Sequence, residues 1–330
     1  MHELELKTQT GIYISTKKEQ DLFSKQGKFS FIVKGFRVED NKPVIIKRIK
    51  DTESVGNEQS LKLIREILLN LHTLHEGICQ TYDLVKNGNE VYIIREFIDG
   101  YDLKNIINNK KLKYFSTPDF TAKIGIEVCN IFSEIHKQEI IHRDIKPANI
   151  MIENTPGSDK PDYYNPKVRL IDFELAQIHG MNIFKMNKTP FTLIYSSPEQ
   201  LLRYQHVINP TSDIFSLAIT LFEFLSLKPA FKHNNPELLI TLQLNHPLVK
   251  HVRIPYELFA IMHKASQKQA FQLPPNRYST EEKEFILLKG LENRFQNAAE
   301  MNAALEGFLS KYDAIPPAKN IFGKIRAFFR

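Results

Sequence analysis

Within the stretch IIHRDIKPANIMI, residues 140–152, Asp144 and Asn149 stand five positions apart with Lys146 between them. An aspartate carboxylate can orient and deprotonate an attacking hydroxyl. An asparagine carbonyl oxygen is a hard ligand suited to Mg²⁺. A lysine ammonium offsets negative charge on a transferring phosphoryl group. Each residue alone is common in turns, but the ordered string is not explained by turn-forming preference.

These side chains need a scaffold, and the chain supplies two kinds in succession. FSFIVKGFRVEDNKPVIIKRIK (29–50) and ICQTYDLVKNGNEVYIIREFI (78–98) each hold two β-rich runs around a polar turn and read as hairpins. Between them EQSLKLIREILLNLHTL has Leu61, Ile64, Leu68 and Leu71 at helical spacing, so one helix interrupts the strands. After Gly100, TAKIGIEVCNIFSEIHKQ and TSDIFSLAITLFEFLSL read as long, largely apolar helices of a helical body. ENTPGSDKPDYYNPK reads as a mobile loop and QAFQLPPNRYSTEEKE as an insertion. The pair Asp144/Asn149 falls on the turn between a helix and a β-type run, where a loop aims both side chains into one cleft.

The bulk properties fit that scheme. The 330 residues are 42% hydrophobic, enough for one large domain or two lobes sharing a cleft. A net charge of +6, spread along the sequence, gives no reason to expect nucleic-acid binding. Cys79 and Cys129 have no metal-ligand spacing and suit a reducing compartment. No window reaches the roughly 18 apolar residues of a membrane span, and MHELELKTQT lacks a signal-type apolar core. The expectation is a soluble cytoplasmic protein; export into a host cell by a route needing no cleaved signal stays open.

His142, Arg143, Asp144 and Asn149 match the pattern His-Arg-Asp-x-x-x-x-Asn, and on them the chain resembles the protein kinase superfamily, in particular the eukaryotic-type serine/threonine kinases that bacteria carry. The likeness runs from about residue 20 to 310 and implies an α+β, bilobal kinase-like fold: an N-terminal antiparallel sheet plus one helix, then a mainly helical lobe. It divides the chain into an N-terminal extension (1–20), an N-lobe (21–98), a C-lobe (99–311) and a basic amphipathic tail (312–330). Lysine two places after the aspartate, as Lys146 stands, looks like the serine/threonine type.

By the same resemblance Lys47 in VIIKRI grips the α- and β-phosphates, Ile32, fifteen positions earlier, roofs the adenine, and Glu66, nineteen later, pairs with Lys47. Glu96, Phe97 and Ile98 form the hinge whose backbone holds adenine, and Arg95 takes the usually apolar position behind it, either paired with a nearby acid or competing with Lys47 for Glu66. KQGKFSFI keeps only Gly27 of the three phosphate-loop glycines, with Lys25 and Ser30 in the other places, which predicts weak ATP affinity. In VRLIDFELAQ Asp172 holds the place of the magnesium-binding aspartate, while Glu174 replaces a glycine that supplies backbone freedom. FTLIYSSPEQL looks like the end of an activation segment, with Thr192 helping to seat a peptide hydroxyl. Glu199, in place of the Ala-Pro-Glu glutamate, pairs with Arg294, with Arg277 as a decoy, and Asp213 anchors the catalytic-loop backbone. Thr189 is the first candidate for a regulatory phosphate facing Arg143.

The resemblance implies a serine/threonine protein kinase using ATP and Mg²⁺ on protein substrates and phosphorylating itself. Two alternatives stand beside it: a nucleotide-binding pseudokinase scaffold and a small-molecule kinase of choline or aminoglycoside type. IDFE occurs in the latter, but the activation-segment end and peptide-seating residues argue for a protein substrate. The tail KNIFGKIRAFFR sets Ile321, Phe322, Ile325, Phe328 and Phe329 on one helical face, suiting an anionic membrane surface, a partner or its own helical lobe.

Overall fold

A computed structural model describes residues 3–18, 30–49, 58–88, 90–178, 181–182 and 193–313. They fall into two compact units, one drawn from Met1–Asp99 and the other from Gly100–Met181 and Phe191–Arg330. Gly27, Lys25, Thr189, Thr192 and the tail beyond Asp313 lie outside the described residues.

The first unit is built on strands β1 (Glu3–Lys7), β2 (Ile12–Lys18), β3 (Ser30–Arg37) and β4 (Pro43–Ile49), helix α1 (Glu58–Asn70), and strands β5 (Thr81–Asn87) and β6 (Glu90–Glu96). The strands make one six-stranded antiparallel sheet in the order β1-β2-β3-β4-β6-β5. The two hairpins expected from the sequence are β3/β4 and β5/β6. Gly88, at φ 60°, supplies the left-handed turn residue of the second, with open space where a Cβ would sit.

Residues 3–18 of the N-terminal extension form β1 and β2 and pair into the sheet. In ELELK the apolar residues alternate with charge, and Leu4, Leu6 and Tyr13 enter a buried cluster with Val33, Val44, Ile46, Tyr82, Tyr92 and Ile94 on one face of the sheet. Helix α1 buries Ile64 and Leu68 and packs against β5. The last expected helical positions tighten into a 3₁₀ turn at Leu71–Thr73.

The second unit runs through β7 (Gly100–Asp102), α2 (Leu103–Asn108), α3 (Pro118–Lys137), β8 (Ile140–Ile141), β9 (Ile150–Glu153), β10 (Val168–Leu170) and β11 (Gln177–Ile178), with the two-residue β12 (Met181–Asn182) at its boundary. It continues with α4 (Pro198–Leu201), α5 (Pro210–Ser226), α6 (Pro236–Asn245), α7 (Tyr256–Ala265), α8 (Thr280–Glu292) and α9 (Ala298–Asp313). Helix α3 starts at an N-cap Thr117 followed by Pro118 and ends with His136 and Lys137, a charge order that suits its dipole. Helix α5 is apolar nearly all round and buried from Thr211 to Ser226, as a central core helix must be.

Two irregular stretches are better defined than their composition predicts. The Pro-rich connection 153–167 is pinned by Tyr163, whose hydroxyl lies 2.7 Å from Thr117 Oγ1 and donates to Asp119 Oδ1 at 2.9 Å, and whose ring stacks on Phe120. The insertion after α7 contains α8, capped by Ser279 and Glu282, which buries Leu287 and Leu291 with Phe271 against Val207 and Leu244.

Strand β7 pairs with β9, which follows Asn149 directly, and at Gly100 a Cβ would overlap the Ile152 carbonyl oxygen of that neighbouring strand. Backbone cannot step aside as a side chain can. Gly100→Ala is expected to cost roughly 1–3 kcal/mol, the ordinary penalty of overpacking, measured by urea unfolding.

Candidate active site

The Asp144 loop hangs between β8 and a 3₁₀ turn at Pro147–Asn149. Its backbone is held by the carboxylate of Asp213, in the first turn of α5 and fully buried. Asp213 Oδ2 accepts the N–H of His142 and Oδ1 that of Arg143, both at 2.8 Å, and His136 Nε2 adds a third contact to Oδ2 at 3.0 Å. Burial alone would raise the carboxyl pKa, but the hydrogen bond and charge interaction with His136 and the backbone donor of Arg143 hold it below its usual value. Arg143 adopts φ 66°, a left-handed conformation costly for a side-chain-bearing residue. Its N–H is fixed by Asp213 and its carbonyl by Gln200 Nε2 at 2.8 Å, so the surroundings impose the turn.

His142 is buried and its pKa is lowered by desolvation, so the ring is neutral. Nε2–H donates to the Ile171 carbonyl at 3.0 Å while Nδ1 accepts the Asp144 N–H at 3.3 Å, which selects the tautomer. The ring also packs on Phe173, 4.5 Å between centroids. One imidazole thereby ties the Asp144 loop to the segment carrying Asp172.

On that support Asp144 Oδ2 accepts from Lys146 Nζ at 2.7 Å and from Asn149 Nδ2 at 2.9 Å. Asn149 Nδ2 also reaches the Asp144 carbonyl at 2.8 Å, and the Asn149 carbonyl accepts the Ile171 N–H at 3.0 Å. The three residues singled out by spacing thus form one contiguous group. Asp172 sits at φ 63° at the start of a 3₁₀ turn, Phe173–Leu175. Glu174 is inside that turn and is not among the positive-φ residues, so this conformation makes no use of the freedom a glycine there would offer.

Glu199 and Arg294 form a two-point pair, Nη1–Oε1 2.8 Å and Nη2–Oε2 3.1 Å, with side chains 0% and 1% exposed. Ser212 Oγ donates to Glu199 at 2.6 Å and Arg294 Nε to the Gln267 carbonyl at 2.8 Å. Arg277 is exposed in a separate 3₁₀ turn. The guanidinium of Arg143 donates to Gln205 Oε1 at 2.8 Å.

In the first unit Ile32 and Lys47 are direct cross-strand partners on β3 and β4, and Lys47 is opposite Ile93 on β6. Lys47 is buried, whereas Ile32 is half exposed at 53%. Glu66 is exposed on α1, and among the described residues it forms no ion pair with Lys47 or Arg95. Arg95 Nη1 instead lies 3.6 Å from Cys79 Sγ. The Glu96 N–H donates to the Gln80 carbonyl at 2.9 Å and its side chain accepts the Gln80 N–H at 2.6 Å, next to the buried Ile98.

Three contributors have no signal in the sequence: His136, Gln200 and Gln205. Each acts on a partner more than fifty positions away, beyond the reach of local spacing.

The buried Glu199 carboxyl is pushed up by desolvation, but Arg294 and Ser212 bring it below its ordinary value of 4.5. A carboxyl depressed in the fold contributes stability above that value and loses it as pH falls through the folded pKa. Glu199→Gln, which strands Arg294, is expected to cost ~3–5 kcal/mol at neutral pH. In chemical-denaturation curves the gap from wild type should narrow below pH 4.5.

Residues 25–292 match the protein kinase domain family. The chain is 28% identical over 238 residues to serine/threonine-protein kinase PknF of Mycobacterium tuberculosis, covering 71% of this chain and 47% of that protein. It is 29% identical over 245 residues to serine/threonine-protein kinase PknB of Mycolicibacterium smegmatis, covering 70% and 33% respectively. The chain therefore matches about half the length of the first relative and a third of the second. With the family match spanning most of its length, and with the Asp144 loop, Asp172 and the Glu199–Arg294 pair in the described arrangement, the chain belongs to the protein kinase domain family.

Proposed function

We propose that the protein transfers the γ-phosphate of ATP to serine or threonine hydroxyls of proteins, including its own. The observation that carries this reading is the hydrogen-bonded group Asp144–Lys146–Asn149 on a loop fixed by Asp213, in a member of a family that uses ATP and typically Mg²⁺. Lys146 and Asn149 both bind Oδ2 of Asp144. The other carboxylate oxygen is then suited to orient the substrate hydroxyl and take its proton. Lys146 offsets charge on the phosphoryl group in transit.

The residues fit Mg²⁺. The Asn149 amide nitrogen is committed to Asp144, which leaves its carbonyl oxygen as the donor atom, and Asp172 brings a carboxylate. Among the described residues no group of three His, Cys, Asp or Glu could hold a metal, and Mg²⁺ ordinarily takes one or two carboxylates with phosphate oxygens and water. When bound, the ion neutralises charge on the β- and γ-phosphates.

In this reading Lys47 positions the α- and β-phosphates with Glu66 as its partner. Ile32 and Gly27 cover the nucleotide, and the Glu96–Ile98 backbone receives adenine. Thr192 seats the acceptor hydroxyl, and Thr189 is an acceptor whose phosphate would face Arg143. Glu199, Arg294 and Asp213 hold the frame. The tail, with its apolar residues and Lys319, Lys324 and Arg326, lies outside the described residues and is read as a contact segment for a membrane surface, a partner or the chain's own helical lobe. Among the described residues no helix is long and apolar enough to cross a membrane.

Purified protein with Mg²⁺ and radiolabelled ATP should label itself and generic protein substrates, and Asp144→Ala should lower the rate by roughly 10²- to 10⁴-fold. Label on choline or aminoglycosides instead of protein would favour a small-molecule kinase, and no label anywhere would favour a scaffold. The glycine-poor phosphate loop predicts an ATP affinity weaker than low micromolar, read by nucleotide titration.

A further inference from the structure

Helix α1 is tied to the N-terminal hairpin through one buried carboxylate. A β-bulge between Thr81 and Asp83 interrupts the β5/β6 register, and Asp83 is 1% exposed. Its Oδ1 accepts from Arg65 Nε of α1 at 2.5 Å and from the Leu84 N–H at 2.8 Å, and its Oδ2 accepts from Thr10 Oγ1 at 2.9 Å. Thr10 lies in the turn joining β1 and β2, held by Thr8 Oγ1 at 3.1 Å and the Tyr13 hydroxyl at 2.9 Å. Tyr13, Leu4 and Leu6 root that hairpin in the sheet core. Burial pushes the Asp83 carboxyl up, but Arg65 and the threonines bring it down, so the pair is charged.

Arg65 and Glu66 are consecutive and diverge by about 100° around a helix of 3.6 residues per turn. With Arg65 drawn onto β5 and Ile64 and Leu68 packed down, Glu66 is left exposed and, among the described residues, forms no ion pair with Lys47. Rolling α1 to bring Glu66 inward would withdraw Arg65 and leave a buried carboxylate without its cation, a strongly unfavourable state.

We propose that Asp83 is a positioning residue, the centre of a latch in which the N-terminal hairpin and Arg65 hold α1 in the orientation that keeps Glu66 away from Lys47. Releasing the latch lets α1 roll and the ion pair form. The significance for catalysis rests on the kinase reading of Lys47 and Glu66; the mechanical coupling of hairpin to helix does not.

The test uses the full chain with two variants. Thr10→Val loosens the hairpin side alone. Arg65→Met with Asp83→Asn removes both charges together and leaves no orphaned carboxylate. Each should lower KM for ATP or raise kcat by roughly fivefold or more, within the span of conformational couplings of about 5- to 150-fold. Adding Glu66→Gln should abolish the gain, a dependence that a purely structural contact would not show. Unchanged or reduced turnover, or a gain that survives Glu66→Gln, would overturn the proposal. Amide hydrogen exchange over residues 58–70 without nucleotide reads the latch independently: faster exchange in Thr10→Val is expected, and unchanged exchange would refute the coupling. Protein that transfers no phosphate yet shows faster exchange would remove the kinase reading while leaving the hairpin–helix coupling standing.

Discussion

The buried carboxylate of Asp213 is the contact on which the described chemistry depends. By accepting the N–H groups of His142 and Arg143 it fixes two consecutive peptide planes, and the second lies in a backbone region that a side-chain-bearing residue enters only under constraint. Everything downstream inherits that geometry. Asp144 follows directly, its N–H meets the His142 ring, and its carboxylate collects Lys146 and Asn149. An ionised acceptor is well suited to this task because charge-assisted hydrogen bonds are shorter and stronger than neutral ones.

A second anchor, the Glu199–Arg294 pair, connects helix α4 to the link between α8 and α9 and meets the first through neighbouring residues. Ser212, beside Asp213, donates to Glu199, and Gln200, beside Glu199, donates to the Arg143 carbonyl. The loop is therefore held from two directions by groups distant in sequence. Such buried networks favour one arrangement because any partial version leaves charges unsatisfied.

Much of this was legible in the sequence, for reasons that differ by residue. The β3/β4 and β5/β6 hairpins and α1 follow from periodicity and turn chemistry, and Asp144, Lys146 and Asn149 from an ordered local string. The fifteen-residue interval between Ile32 and Lys47 becomes a cross-strand pair because a hairpin converts spacing into register. The β1/β2 hairpin carried the same alternating signal in ELELK but lies outside the family pattern, so resemblance hid what periodicity offered. Glu66 stands nineteen positions after Lys47 as the resemblance asks, yet it is exposed and, among the described residues, forms no ion pair with it, because which side chain a helix turns inward is set by packing across the unit and not by spacing. Arg95 likewise turns to Cys79, a partner no local rule selects.

The connection between β9 and β10 carries a lesson about chain length. Tyr163 fastens its far side to the start of α3, and the Asn154–Pro161 bridge with the Thr155–Lys160 hydrogen bond closes a neck across it. What reads as a long floppy segment is a small exposed lobe on a closed stem. Closure entropy grows only with the logarithm of loop size. Extra residues spliced in beyond that neck, between Pro156 and Asp159, would therefore burden the fold little, and the spot is a natural attachment point for a reporter group.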